Sequence, residues 1–171
     1  MRKIFFNSVL SFLLILTFQF VEASGFANES DSNWKAGVAR VIITPQQPMW
    51  MAGYASRTTP SDGKLHDLWA KALALEDVHG EQAVLITTDL LGLPKKMSDN
   101  IRHRLKEKFE LSKAQIILNS SHTHSGPVLQ DALFDIYPLD SLHLEKIRDY
   151  SNWLEVQIVD IWHLLLDVSL Q

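Results

Sequence analysis

The sequence contains no cysteine. That excludes disulfides and thiolate metal sites, so any metal ligand must come from His, Asp, Glu or Tyr. A basic excess is also missing: 16 Lys and Arg stand against 20 Asp and Glu. Nucleic-acid binding, which normally shows a basic face, has no support. No repeats or low-complexity tracts appear. Neither Ser121 nor Ser125 sits in a G-x-S-x-G turn, so serine-hydrolase chemistry has no motif. Beyond the first two dozen residues, no apolar run approaches the roughly 20 residues that span a bilayer.

Those first residues are present for a different reason. Arg2 and Lys3 precede a stretch from Val9 to Val21 that is mostly Leu, Phe, Ile and Val, followed by VEASG. This is the layout of a secretory signal peptide over residues 1–23, with cleavage after Ala23. A retained membrane anchor and a buried N-terminal helix are the alternatives. Taking 23 from 171 residues leaves 148, enough for one domain with a core. Arg2, Lys3 and Glu22 leave with the peptide, so the balance becomes 14 basic against 19 acidic. The expected location is secreted or periplasmic. Asn28 and Asn119 begin triplets of the N-glycosylation pattern, which matter only in a eukaryotic secretory route.

Residues 24–35 are small and polar and read as a linker. The segment AGVARVIITP (36–45) is β-branched and alternating, which predicts a strand ending before Pro45. Residues 46–67 then form a long loop rich in Gly, Pro, Ser and Thr. Loops of that length are usually functional or disordered. Trp50, Met51 and Tyr54 argue against disorder, because they need something to pack on. Two strands at 68–77 and 82–89 with a turn at His79-Gly80 predict an antiparallel hairpin. A helix follows from about Lys96 to Glu110, with Ile101, Leu105 and Phe109 on one face and Ser98 or Asp99 as the cap. AQIILN (114–119) reads as a buried strand. Residues 140–168 form a second helix, with Ile147, Tyr150, Leu154, Ile158, Ile161 and Leu165 on one stripe.

Strand, helix and strand over 82–119 make a βαβ unit with two parallel strands. The expected class is α/β, with α+β as the neighbouring possibility: a mixed sheet with an antiparallel hairpin, and helices packed on it. In such sheets ligands bind beyond the carboxyl ends of the parallel strands. Those ends carry Thr87-Thr88-Asp89 and Ser120-Ser121-His122-Thr123-His124. The carboxylate and both imidazoles should therefore emerge on one rim. If the chain stays extended through 122–124, alternation puts both rings on one face. Two such histidines can approach one metal ion, or one can bind while the other bonds a nearby oxygen. Zinc favours imidazole where thiolates are absent. Asp89 could stand behind a metal ligand and orient it. The alternatives are a surface loop pair for the histidines and a backbone hydrogen-bond acceptor for Asp89. His66, His79, His103, His143 and His163 are scattered. Single histidines of that kind are usually surface or satisfied core residues.

Several segments together resemble one family. AGVARVIITPQQPMWMAGYASR resembles the opening of the neutral (alkaline, non-lysosomal) ceramidases, a G-x-A-x-x-D-I-T-P-like strand leading into M-x-G-Y-A. Gly63, His66, Ala70, Lys71 and Ala72 match the family's G-I-H-x-x-x-x-A-K/R-A pattern, with Lys64-Leu65 in place of one apolar residue. Thr88-Asp89 and Gly92 match its strand ending in T-D, and residues 122–127 match H-T-H-S-G-P letter for letter. Ile42 departs from the pattern, where the family often has an acidic residue.

The resemblance implies a zinc-dependent amidase that hydrolyses the N-acyl bond of ceramide to sphingosine and fatty acid. His122 would be a zinc ligand. His124 would lie beside the metal as a catalytic residue holding the water or the developing oxyanion. The substrate would be a lipid amide, with contact to a membrane surface. Family members are several times longer and complete their zinc with a further histidine, a glutamate and a tyrosine from later sequence. The chain is accordingly expected to be the N-terminal portion (36–171) of such a catalytic domain, interrupted and inactive alone. Two alternatives stand beside this: an exported non-catalytic binding module using the 46–67 loop, and a related metal hydrolase of another amide or ester.

Overall fold

The computed structural model describes residues 34–167, with side chains through Trp162. The expected signal peptide, the linker up to residue 33 and the side chain of Leu165 lie outside the described residues. Four strands form one sheet in sequence order: β1 (Lys35–Ile42), β2 (Trp69–Glu76), β3 (Gln82–Thr88) and β4 (Ile116–Ser120). β1, β2 and β3 run antiparallel in turn, while β3 and β4 are parallel with Thr88 opposite Ser120. Helix α1 (Lys95–Phe109) makes the crossover between them, and α2 (Ser141–Asp167) follows. The class is α/β, as the strand and helix patterns require.

Alternation decides which side of the sheet is covered. Ala70, Ala72 and Ala74 of β2 and Val84, Ile86 and Thr88 of β3 are buried, with Lys71 and Leu75 exposed between them. The helices add Met97, Ile101 and Leu105 from α1, and Ile147, Leu154, Ile158 and Ile161 from α2, to the same core. The opposite face leaves Val38, Ile42, Leu75 and Ile117 exposed.

The strands end where side chains replace the ladder. The expected strand at 36–45 stops at Ile42, because Thr44 Oγ1 accepts the Leu68 N–H at 2.8 Å in place of a backbone carbonyl. In the β2–β3 turn, Asp77 Oδ1 accepts the N–H groups of His79 (2.8 Å) and Glu81 (2.9 Å), while Gly80 takes φ 82°. A φ of that sign suits glycine. The expected strand at 114–119 begins at Ile116, after a 3₁₀ turn (Lys113–Gln115) held by the Ser112–Gln115 capping box.

Neither Ser98 nor Asp99 caps α1. The helix starts at Lys95, one residue before the expected Lys96, behind Pro94, whose extended ψ of 147° and fixed φ turn the chain in without a side-chain cap. Asp99 pairs with Lys95 instead. At the start of α2, Asp140 Oδ1 accepts the His143 N–H at 2.8 Å, the bond an N-cap makes. Tyr150, midway along the buried stripe, donates its hydroxyl to the Ile43 carbonyl at 2.6 Å and so ties α2 to the end of β1. Burial pushes its phenol well above the ordinary tyrosine value. Tyr150→Phe leaves that carbonyl without its donor and is expected to lower stability by about 1–2 kcal/mol in urea unfolding. An unchanged midpoint would show that the bond contributes nothing.

Four carboxylates are held below their ordinary values: Asp67 by Lys64 and Thr44, Glu76 by Lys35 and Gln82, Asp77 by turn N–H groups led by that of Glu81, and Asp99 by Lys95. A depressed folded-state value stabilises the fold above the unfolded carboxylate pKa, and that contribution disappears as pH falls through the folded value. Stability should therefore be flat near neutrality and fall below about pH 4. Thermal melts from pH 7 to 2.5 check this, and Asp77→Asn should flatten the acid limb.

Candidate functional site

The parallel pair β3–β4 ends flush. Ser121 N–H donates to the Thr88 carbonyl at 3.0 Å, and the Thr88 and Ser120 hydroxyls lie 2.9 Å apart. Beyond these ends, residues 89–91 and 121–126 run against each other. A Cβ on Gly126 would meet the Asp89 carbonyl at 3.2 Å and Leu90 Cα at 3.4 Å, so this close approach needs a small residue.

His122 is exposed, and its Nδ1 lies 2.8 Å from the Leu91 carbonyl. A carbonyl only accepts, so Nδ1 donates, and in the neutral ring the lone pair is on Nε2. A ring held this way is prepared to ligate a metal through Nε2. The backbone at His122 is not extended as alternation would have it, but sits in the left-handed region at φ 58°. The two rings nevertheless meet, with centroids 5.3 Å apart and planes at 68°. A turn at His124-Ser125, closed by Ser125 N–H on Thr123 Oγ1 at 3.2 Å, produces the approach. Left-handed backbone in a histidine is strained, and such strain gathers at functional sites.

Asp89 shares the rim, but its carboxylate Oδ2 accepts the Trp69 N–H at 2.9 Å, and its own N–H donates to the Trp69 carbonyl at 2.9 Å. The contacts made by its carboxylate are thus those of a backbone acceptor locking the start of β2. Three of the other histidines are engaged elsewhere: His143 with Asp140 and Trp50, His103 with Glu107, and His66 with the Asp67 carbonyl.

The loop at 46–67 folds against the histidine segment. Ala52 N–H donates to Gly126 O (2.8 Å), Val128 N–H to Trp50 O (2.7 Å), and Met51 pairs with Pro127. Gly53 N–H donates to the Tyr137 hydroxyl at 2.9 Å. Tyr54 meets the His124 ring edge-on at 4.7 Å. Arg57 donates from Nη2 to the His124 carbonyl at 2.6 Å, with its guanidinium over the Tyr54 ring. The aromatic content of the loop signalled that it packs on something. Nothing in sequence spacing marked Gly53 or Arg57 as neighbours of His124.

Among the described residues, no group of three His, Asp or Glu side chains converges to hold a metal ion. His122 Nε2 fits zinc as one ligand by its donor chemistry and its oriented ring.

A mixed α/β sheet with an imidazole pair at the carboxyl rim of its parallel strands defines a class of ligand sites rather than one activity. The chain belongs to the neutral/alkaline non-lysosomal ceramidase family: the model of that family's N-terminal region matches residues 34–141. Its fold is similar to the crystal structure of neutral ceramidase from Pseudomonas aeruginosa, with a TM-score of 0.63 and 22% identity over 78% of this chain and 21% of that one. A ceramidase complexed with C2 is similar to it at a TM-score of 0.62, again with 22% identity, 78% of this chain and 21% of that one. The chain thus spans about a fifth of the length of those structures. No curated protein matches it.

Proposed function

We propose that this chain forms the first part of the catalytic domain of an exported, zinc-dependent amidohydrolase that cleaves the N-acyl amide of a ceramide-like lipid. The observation that carries this is the oriented His122 ring in a family member: Nδ1–H on Leu91, Nε2 lone pair outward, His124 beside it. Zinc, when bound, would supply Lewis acidity toward the amide carbonyl. His122 would hold it through Nε2. His124 would donate to the oxygen on which negative charge develops, and the docked 46–67 loop would keep both rings in register. Asp89 would act only through the backbone it braces.

Because the described residues offer one ligand and one helper, the remaining ligands are expected from sequence outside this chain. A catalytic zinc usually takes three protein ligands. The isolated chain should therefore bind zinc weakly and release little or no sphingosine from ceramide. Stoichiometric zinc surviving dialysis, together with robust sphingosine release, would overturn this. If His122→Ala leaves every ligand interaction of the chain unchanged, a non-catalytic binding module becomes the better reading.

A further inference from the structure

We infer that Gly53 and Arg57 are positioning residues that hold His124 with its proton on Nε2, the opposite tautomer to that of His122. The two rings look interchangeable in the sequence, two residues apart in a run of small polar neighbours. Their surroundings are not. His122 gives its Nδ1–H to a carbonyl, so its outward nitrogen is a lone pair. His124 Nδ1 is buried and has no hydrogen-bond partner.

What closes over that nitrogen is the Gly53 backbone. A Cβ there would lie 2.4 Å from His124 Cγ, 2.7 Å from Nδ1 and 2.8 Å from Cδ2, and Gly53 has φ 107°. Only a residue with neither a side chain nor an objection to that φ can seat the ring. Arg57 secures the same residue from its backbone side, through Nη2 on the His124 carbonyl. A guanidinium is a cation with donors and no acceptor.

The tautomer follows from what is cheaper to bury. An N–H without an acceptor is rarely tolerated in an interior, whereas an acceptor without a donor is tolerated somewhat more often. Two such N–H groups are already buried here, Trp50 Nε1 and Arg57 Nε, and a third on His124 would add to that cost. Arg57, a cation bonded to the carbonyl of the same residue, favours a lone pair at Nδ1 over another N–H. The proton therefore resides on Nε2. At one rim the chain presents a lone pair from His122 and an N–H from His124, a ligand and a hydrogen-bond donor. This rests on the amidohydrolase reading for its use, since an outward N–H is what a developing oxyanion needs, but not for its measurement.

Side-chain ¹⁵N NMR of the full chain, without metal or substrate and at a pH well above the ordinary histidine value of about 6.5, tests it directly. His122→Gln and His124→Gln assign the resonances. The expected pattern is a protonated Nδ1 for His122 and a protonated Nε2 for His124. Gly53→Ala should shift the His124 resonances and leave those of His122 in place. Arg57→Lys, which keeps the charge but loses the planar fork, should partly preserve the His124 pattern, and Arg57→Ala should lose it. A wild-type His124 protonated on Nδ1 would overturn the inference. So would Gly53→Ala and Arg57→Ala variants whose His124 resonances are unmoved. Should Gly53→Ala not fold, the two Arg57 variants decide the matter alone. The readout needs no turnover, so failed sphingosine release with these tautomers present counts against the functional reading only.

Discussion

A His122→Ala chain is expected to bind zinc at least about tenfold more weakly than the parent, with its melting temperature nearly unchanged. Losing a group that merely orients a ligand typically weakens a metal site about 10–100-fold, and losing the ligand itself should do no less. His122 is exposed, and the Leu91 carbonyl it bonds can turn to water, so the fold has little to lose. His124→Ala should change zinc affinity far less, because that ring offers its outward nitrogen as a donor rather than as a lone pair. Competition against a chromophoric chelator measures both. Equal losses from the two variants would contradict the division of roles, and an unchanged affinity in His122→Ala would remove His122 from the metal site. Arg57→Ala belongs in the same series, since a displaced His124 carbonyl should disturb the turn without touching the His122 nitrogen.

How much of this was legible before the structure depends on the range of the forces involved. The strands and helices follow from local periodicity: alanines at every second position of β2, and Ile147, Tyr150, Leu154, Ile158 and Ile161 along α2. Their ends moved by one to three residues where a side chain took over from the backbone, as Thr44 and Ser112 did, or where Pro94 fixed the turn into the helix. The rim followed from connectivity alone. Two things escaped. The approach of the histidine rings is produced by a left-handed residue and a turn rather than by extended backbone, and His122 itself carries no turn signature. The seat of His124 is built from residues 53–57, some 70 positions upstream, through contacts that no spacing encodes. Composition showed only that the loop had to pack somewhere.

Trp50→Ala is expected to be the most destabilising single change in that loop, at about 3–5 kcal/mol. Trp50 is 3% exposed, stacks at a tilt on Tyr137 with centroids 5.4 Å apart, and meets His143 edge-on at 6.0 Å. It therefore joins the loop to the Tyr137 segment and to the first turn of α2, while its carbonyl accepts the Val128 N–H. Removing the ring should release all three at once. The amides of Ala52 and Val128, which cross between the loop and the histidine segment, should then lose hydrogen-exchange protection well before those of β2 and β3. Trp50→Phe provides the control. Its indole N–H is buried without a partner, so phenylalanine keeps much of the apolar contact and removes an unmatched donor. That variant should cost far less than alanine. A Trp50→Ala protein whose Ala52 and Val128 amides stay protected would mean that the histidine segment holds its own shape, and that the loop only covers it.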